Sequence, residues 1–203
     1  MTFPSNKTFT SLDEVIKNLE YFDSPEKFFS NFPDAWNRLK YQVLKLETRQ
    51  EYLEPGNPSF ELMAAGDFDA AIKLIPEVKA GDAELYETLS TKGVDFIRCR
   101  PVIYPFSQYL KWEFETYKFS AEKAERIFCC SRSEIGIVYD NIATKDFMVF
   151  DSSVGFIHNY DTNGLIQGGW KVTNVEDILL LQSIFIYIKS FCLPFNKFFE
   201  YLT

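Results

Sequence analysis

Histidine is almost absent from this 203-residue sequence, which contains only His158. Cysteine is also scarce, and its four positions, Cys99, Cys129, Cys130 and Cys192, include no C-x-x-C pair. A zinc site rich in histidine is therefore excluded, and a four-cysteine site would require all four thiols to converge. The sequence predicts free, mostly buried thiols in a reducing compartment and no metal site.

Several other signatures are missing. The chain contains no G-x-S-x-G, no P-loop, no G-x-G-x-x-G after a strand and no H-E-x-x-H. No cationic segment followed by an apolar one occurs near Met1, so we expect no signal peptide. The most apolar stretch, Ile178–Ile188, is interrupted by Gln182 and is too short to cross a membrane. We therefore expect a cytoplasmic protein without a cofactor.

Basic residues are outnumbered, since 21 Lys and Arg face 29 Asp and Glu and give a formal net charge of -8. This balance argues against direct binding of nucleic acid, because neutralising phosphates requires clustered Lys and Arg. It is compatible with simple solubility, with a basic partner, or with an acidic mimic of nucleic acid. The hydrophobic fraction of 46% is sufficient for a sizeable core in one globular domain.

Helix signals precede the first strand and recur after it. Ser24-Pro25 gives an N-cap followed by proline at the first helical position, and residues 1–35 are predicted to form an N-terminal helical extension. Asp67 caps a predicted helix over Phe68–Leu74, which we expect Pro76 to end. A single α+β domain is predicted over residues 36–203.

The clearest predicted unit is an antiparallel meander within Lys145–Trp170. Asn163-Gly164 predicts a hairpin turn because this dipeptide accepts positive φ, and Gly168-Gly169 predicts a bulge. A helix that begins after Asn174 is apolar on most sides, so it is either a central packing helix or part of a homodimer interface. The three meander strands are predicted at Phe147–Phe150, Val154–Tyr160 and Leu165–Trp170.

Two alternating segments carry the candidate chemistry. The predicted strand Tyr41–Arg49 places Glu47 and Arg49 on one face, and Val94–Val102 places Arg98 and Arg100 on one face. If the strands are neighbours, these carboxylate and guanidinium groups can pair. The following helix would bring three further side chains over the same face, namely Tyr109, Trp112 and Glu113.

This set of charged and aromatic residues has two interpretations. Arginine suits bidentate contact with carboxylate or phosphate, so the functional one is a pocket for a small anionic ligand or an acidic peptide end. The structural one is a salt-bridge network on a solvated sheet face. Where Arg98 and Arg100 point distinguishes the two.

The order of motifs resembles a bacterial family known chiefly as a domain of unknown function and abundant in actinobacteria. The resemblance covers roughly Trp36 to Tyr201, although a family glycine is missing from Ala121–Ile127 and Met148 stands where the family has tryptophan. The matching segments are LETRQEY, FELMAAG, KGVDFIRCRPVIYPFSQYLKWE, AEKAERI, KDFMVFD, HNYDTNGLIQG and FCLPFNKFFEYL.

Members of that family are often encoded beside helix-turn-helix regulators. The resemblance therefore implies a regulatory role and a protein partner such as a transcriptional regulator, but no established chemistry. The candidate ligand-binding residues are Trp112 together with the positions that match the family's polar motifs, namely Glu47, Arg49, Tyr52, Arg98, Arg100, Tyr109, Glu113, Asp146 and Asp151.

The sequence thus predicts an α+β fold in which a mostly antiparallel, twisted sheet is covered by N-terminal, central and C-terminal helices. The predicted function is that of a non-catalytic cytoplasmic module that binds a protein partner or a small anionic ligand. One alternative is an acidic inhibitor that mimics nucleic acid. The other is an enzyme of unknown reaction that uses Glu47, Arg49, Arg98, Arg100 and Glu113.

Overall fold

One mixed sheet runs through the centre of the computed structural model, which describes residues 10–136 and 145–201. Across the described sheet the strand order is β1-β7-β6-β5-β2-β3-β4-β8. Among the described strands, only β2/β3 and β3/β4 pair in parallel, and the other neighbours are antiparallel. The strands are β1 (Tyr21–Phe22), β2 (Gln42–Leu46), β3 (Asp95–Val102), β4 (Glu125–Ser131), β5 (Phe147–Phe150), β6 (Val154–Tyr160), β7 (Ile166–Val172) and β8 (Leu193–Pro194).

Helices cover both faces of this sheet, and the prediction of an α+β fold is confirmed. The first helix continues as a 3-10 turn over Ile16–Asn18. The helices are α1 (Leu12–Val15), α2 (Pro25–Phe29), α3 (Phe32–Arg38), α4 (Pro58–Ala64), α5 (Phe68–Ala80), α6 (Ala83–Lys92), α7 (Gln108–Lys123), α8 (Arg132–Ile135), α9 (Val175–Lys189) and α10 (Phe195–Tyr201).

The two faces of the sheet bury separate hydrophobic cores. On one face, Leu181 and Ile184 of α9 belong to a cluster with Leu46 and Ile157 of the sheet. On the other face, helices α2, α3, α6 and α7 supply the cover, and Phe28 of α2 is fully buried. Strand β3 is therefore enclosed on both sides, which places its charged side chains in the interior rather than in solvent.

The predicted meander is present as β5, β6 and β7. Gly164 in the predicted hairpin turn has φ +90, which favours glycine. A register shift between Asn159 and Tyr160 marks the predicted bulge, and Gly168 opposite it has φ +137. A Cβ atom on Gly168 would lie 2.0 Å from the carbonyl oxygen of Phe22, so β1 can pack here only because position 168 has no side chain.

Two predicted element ends differ from the structure by three residues or more. Helix α5 continues through Pro76 to Ala80, because burial of Ala71 and Ile75 outweighs the one backbone hydrogen bond that proline removes. Strand β2 ends at Leu46 rather than at Arg49, because the amide of Thr48 donates to the side chain of Asp146 instead of to a neighbouring strand.

The described residues that precede the predicted single domain, 10–35, contribute to its cores. Leu12 joins the cluster beneath α9, and Phe28 packs edge-on against Phe156.

The four thiols are free and three are buried, as predicted. Cys129 and Cys130 belong to clusters on opposite faces of the sheet. In the part of the chain that the structure describes, no helix combines the length and hydrophobicity needed to span a membrane.

Candidate functional site

A buried ion-pair network lies where the parallel strands β2, β3 and β4 meet. Arg98 is 7% exposed and lies between two carboxylates. Its Nη1 donates to Glu47 Oε1 at 2.8 Å, and its Nη2 lies 2.7 Å from Glu125 Oε2. Glu47 also accepts from Lys45 Nζ at 2.7 Å and from the hydroxyl of Tyr117 at 2.6 Å. The predicted pairing of Glu47 with Arg98 is thus present, but it lies in the interior rather than on a solvated face.

The charge balance of this network fixes the ionisation of Glu47. Burial alone would raise the pKa of its carboxyl group. Attraction to Arg98, Lys45 and Arg100 outweighs that effect and holds the pKa of Glu47 well below its usual value. Glu47 therefore remains an anion, and the network stabilises the junction between β2 and β3 as an ion pair.

Arg100 is fully buried and reaches Asp146 through a tyrosine. Its Nη1 donates to the hydroxyl of Tyr52 at 2.9 Å, and that hydroxyl donates a short hydrogen bond to Asp146 Oδ2. Asp146 Oδ1 accepts from both the amide and the hydroxyl of Thr48, each at 2.7 Å. This chain of contacts links the centre of β3 to the segment that follows β2. Nε and Nη2 of Arg100 find no hydrogen-bond acceptor among the described residues.

A second cluster of polar side chains lies beside α7. The hydroxyl of Tyr109 is 2.6 Å from both Glu54 Oε1 and Glu113 Oε2. Because a tyrosine hydroxyl has one proton, one of the two carboxyl groups must itself donate to the tyrosine oxygen. Burial and the nearby charge of Glu113 raise the pKa of Glu54 above its usual value. A cavity of 240 Å³ adjoins them, and Trp112, which donates to Ser59 at 2.9 Å, lines it.

Arg49 lies at the rim and does not join the buried network. Its Nη2 donates to the carbonyl of Thr162 at 3.2 Å, and its guanidinium lies 5.7 Å from the ring centre of Tyr160. It opens onto a cleft of 730 Å³ that lies past the carboxyl ends of β2 and β4. The cleft is lined by Thr48, Arg49, Gln50, Glu51, Leu53, Arg132, Thr162 and Asn163.

Asp151 lies at the opposite end of β5 from Asp146. Its carboxylate accepts hydrogen bonds at 2.9 Å from the backbone amides of Lys40, Tyr41 and Gln42. The residue itself adopts φ 53, a strained conformation that these three bonds offset. Asp151 therefore holds the start of β2 and is remote from the other candidate residues.

His158 is enclosed by aromatic side chains. Its ring lies edge-on to Phe28 at 5.3 Å and stacks on Tyr160 at 6.1 Å. Burial lowers the pKa of His158 to about 4, so the imidazole is neutral at physiological pH. Its Nδ1 has no hydrogen-bond partner within the described residues.

The structure gathers eight of the ten candidate residues into one buried region and separates Arg49 and Asp151 from it. Sequence reasoning missed Glu125, Tyr117 and Glu54, which complete that region. Glu125 could have been found from the alternation of β4, since Glu125, Ile127 and Cys129 share one face. That inference needed the parallel pairing with β3, which alternation does not reveal. Within the described ranges, no group of three or more His, Cys, Asp or Glu side chains could hold a metal ion.

The sequence matches the family described as "Domain of unknown function (DUF6879)" over residues 30–200. The chain belongs to this family. The match confirms the predicted membership of a family whose function is not established, and it begins within the segment predicted as a helical extension. A search of curated proteins found no match for this DUF6879 domain.

One solved structure that resembles the DUF6879 domain is TrmBL2, an archaeal chromatin protein described as showing a novel mode of DNA binding. The similarity has a TM-score of 0.44 and 9% sequence identity, and it covers 90% of this chain. The chain spans 59% of the length of that protein. A similarity at this level supports no conclusion about the fold or function of the domain.

Proposed function

We propose that this DUF6879 domain is a non-catalytic binding module that holds a small anionic ligand in the cleft beyond β2 and β4. One observation carries the proposal, namely that Arg49 and Arg132 line the same cleft although they follow different strands. Guanidinium groups recognise phosphate and carboxylate in bidentate geometry. Among the described residues of the lining, two arginines, Arg49 and Arg132, stand beside one acidic side chain, Glu51, in an acidic protein.

The position of the cleft in the fold supports the same function. Ligands of open sheets with parallel strands bind in crevices beyond the carboxyl ends of those strands. Gln50 joins two of these ends, since its amide nitrogen donates to the carbonyl of Pro101 at 3.1 Å and its amide oxygen accepts from the amide of Ile103 at 2.7 Å. The cleft wall is therefore ordered before any ligand arrives, which lowers the entropic cost of binding.

The buried network acts as a support for the cleft in this proposal. Arg98 already contacts two carboxylates, so an incoming anion would have to displace Glu47 or Glu125. Arg100 instead acts through Tyr52 and Asp146, which fix Thr48 in the cleft wall. We therefore place the ligand at Arg49 and Arg132 and not at the two buried arginines.

The wider role follows from the family resemblance. We propose that the domain acts in the bacterial cytoplasm and that ligand occupancy regulates a protein partner such as a transcriptional regulator. The net charge of -8 disfavours direct contact with nucleic acid. The cleft lining contains neither histidine nor cysteine, so it offers no usual pair of nucleophile and base, and we favour binding over catalysis.

A thermal-shift screen tests the proposal with inorganic pyrophosphate, nucleoside diphosphates, sugar phosphates and tricarboxylates. At least one of these anions is expected to raise the melting temperature saturably. The double variant Arg49→Gln/Arg132→Gln should lose that increase, whereas Arg38→Gln/Lys73→Gln, which removes two exposed charges elsewhere, should retain it. The proposal fails if no anion stabilises the domain, or if both double variants respond alike.

A further inference from the structure

An apolar groove of 970 Å³ runs between α7 and the outer edge of β4. Phe114, Ile127 and Phe195 form its buried floor. It lies on the far side of β4 from β2 and shares no lining residue with the anion cleft. The groove therefore offers a binding surface that is independent of the proposed ligand site.

The edge of β4 beside this groove is only partly paired. Strand β4 covers seven residues, but β8 pairs only with Phe128 and Cys129. In the described part of the chain, Glu125–Ile127 have no strand partner on their outer side. Pro194 has no amide proton and the chain turns into α10 at Phe195, so β8 does not extend along this edge. An open strand edge is a template for pairing with another chain.

The charged side chains that line the groove fall into two groups. Lys118 is paired with Glu115 at 2.7 Å, and Arg126 with Asp95 at 3.2 Å. The groove also contains two charges that make no ion pair within the described residues, Lys111 and Glu122, and they lie toward opposite ends of α7.

We propose that the groove binds an extended segment of a partner protein, which adds as a short strand to the open edge of β4. Its apolar side chains, at alternate positions, would enter the floor formed by Phe114, Ile127 and Phe195. A basic residue would face Glu122 beside the open edge, and an acidic residue would face Lys111. Eleven helical residues separate these charges by about 16 Å, which corresponds to about five residues of extended chain.

The open backbone edge distinguishes this occupant from a helix. An amphipathic helix would fill an apolar groove with side chains at helical spacing and would leave unused the amides and carbonyls within Glu125–Ile127 that face away from β3. An extended segment satisfies both the apolar floor and these backbone groups. The observations therefore favour a strand-forming partner.

A displayed library of random nine-residue peptides, selected on the whole domain, tests the proposal. Enriched peptides should carry apolar residues at alternate positions and opposite charges near their two ends. Ala121→Trp fills the groove from an exposed position and should reduce enrichment about tenfold or more, which corresponds to about 1.4 kcal/mol. Ala64→Trp, at an exposed helical position that lines no part of the groove, should not change it.

Backbone methylation then tests strand addition itself. One enriched peptide is synthesised with and without N-methyl groups at alternate residues, and the methylated form should bind about tenfold more weakly. Binding of the unmodified peptide should shift the amide resonances of Arg126 and Ile127. Helical spacing, lack of enrichment, equal binding of the methylated peptide or an unaffected Ala121→Trp variant would each overturn the proposal. A concentration-dependent dimer that Ala121→Trp abolishes would do the same, because a second copy would then occupy the groove.

Discussion

The guanidinium of Arg100 donates a hydrogen bond of 2.9 Å to the hydroxyl of Tyr52, which lies 48 residues earlier in the chain. This tyrosine is the only acceptor that Arg100 reaches among the described residues, although the arginine is fully buried. When a buried charge has one hydrogen-bond acceptor, the free energy of unfolding depends strongly on that acceptor. The contact therefore ties the interior of β3 to the segment after β2.

Replacing Tyr52 by phenylalanine should lower the free energy of unfolding by about 2–3 kcal/mol, because Arg100 and Asp146 both lose a buried partner. Urea denaturation measures this change. Tyr41→Phe is the matched control, since the side chain of Tyr41 is 73% exposed, and it should change the free energy by less than about 0.5 kcal/mol. Equal effects of the two variants would show that the Tyr52 hydroxyl does not support the buried charge.

Replacing Arg98 by methionine should cost about 3–5 kcal/mol at neutral pH, because Glu47 and Glu125 would remain buried without their shared cation. Lowering the pH should reduce this loss, because protonation removes the charge of a buried carboxylate that has lost its cation. Denaturation at several pH values gives the difference from the native protein. Arg38→Met, at a side chain 81% exposed, serves as the control. A loss that does not depend on pH would contradict the ion-pair network.

The buried imidazole of His158 predicts a pH dependence of stability. Its pKa is lowered from 6.5 to about 4, so below pH 6.5 the unfolded chain binds a proton that the folded chain does not. This contribution is complete above pH 6.5 and is lost as the pH falls towards 4, by about 3 kcal/mol. His158→Phe, which suits the aromatic surroundings, should remove this part of the pH dependence. An unchanged slope between pH 6.5 and 4 in the variant would contradict the burial of a neutral histidine.

Glu54 gives a pH dependence of the opposite sign. Because its pKa is raised in the folded state, its contribution to stability is present below the unfolded value of 4.5 and decreases as the pH rises through the folded value. Glu54→Gln imitates the protonated acid beside Tyr109 and should remove this decrease. Glu61→Gln, at an exposed position of helix α4, is the control. Equal pH profiles of the two variants would contradict the raised pKa of Glu54.

Local signals in the sequence predicted the meander well, because its turns depend on residues with special backbone freedom. Asn163-Gly164 gives the hairpin, and Gly168 gives the bulge opposite Asn159. Gly93, which directly follows Lys92, ends α6 with φ +65, and a glycine at the end of a helix is a local signal of the same kind. Such signals need no knowledge of the tertiary fold, which is why they succeeded.

Contacts that depend on the order of the strands in the sheet were predicted less completely. Alternation placed Glu47 and Arg98 each on the charged face of its strand. It does not show whether two strands run parallel or which strand lies on the other side of β3. The second carboxylate on Arg98, from Glu125, follows only from the β3/β4 register, in which Arg98 pairs with Ile127 and Phe96 with Glu125. Arg132 was not predicted to line the same cleft as Arg49, because this requires that β2 and β4 flank β3.

The most direct measurement is an NMR titration of the arginine side-chain Nε–Hε signals with each anion of the thermal-shift screen, up to the one that stabilises the domain most. The proposed function predicts that the signals of Arg49 and Arg132 shift saturably, while those of the buried Arg98 and Arg100 stay unchanged. Shifts at Arg98 or Arg100, or no saturable shift at Arg49 and Arg132, would contradict an anion site at the carboxyl ends of β2 and β4.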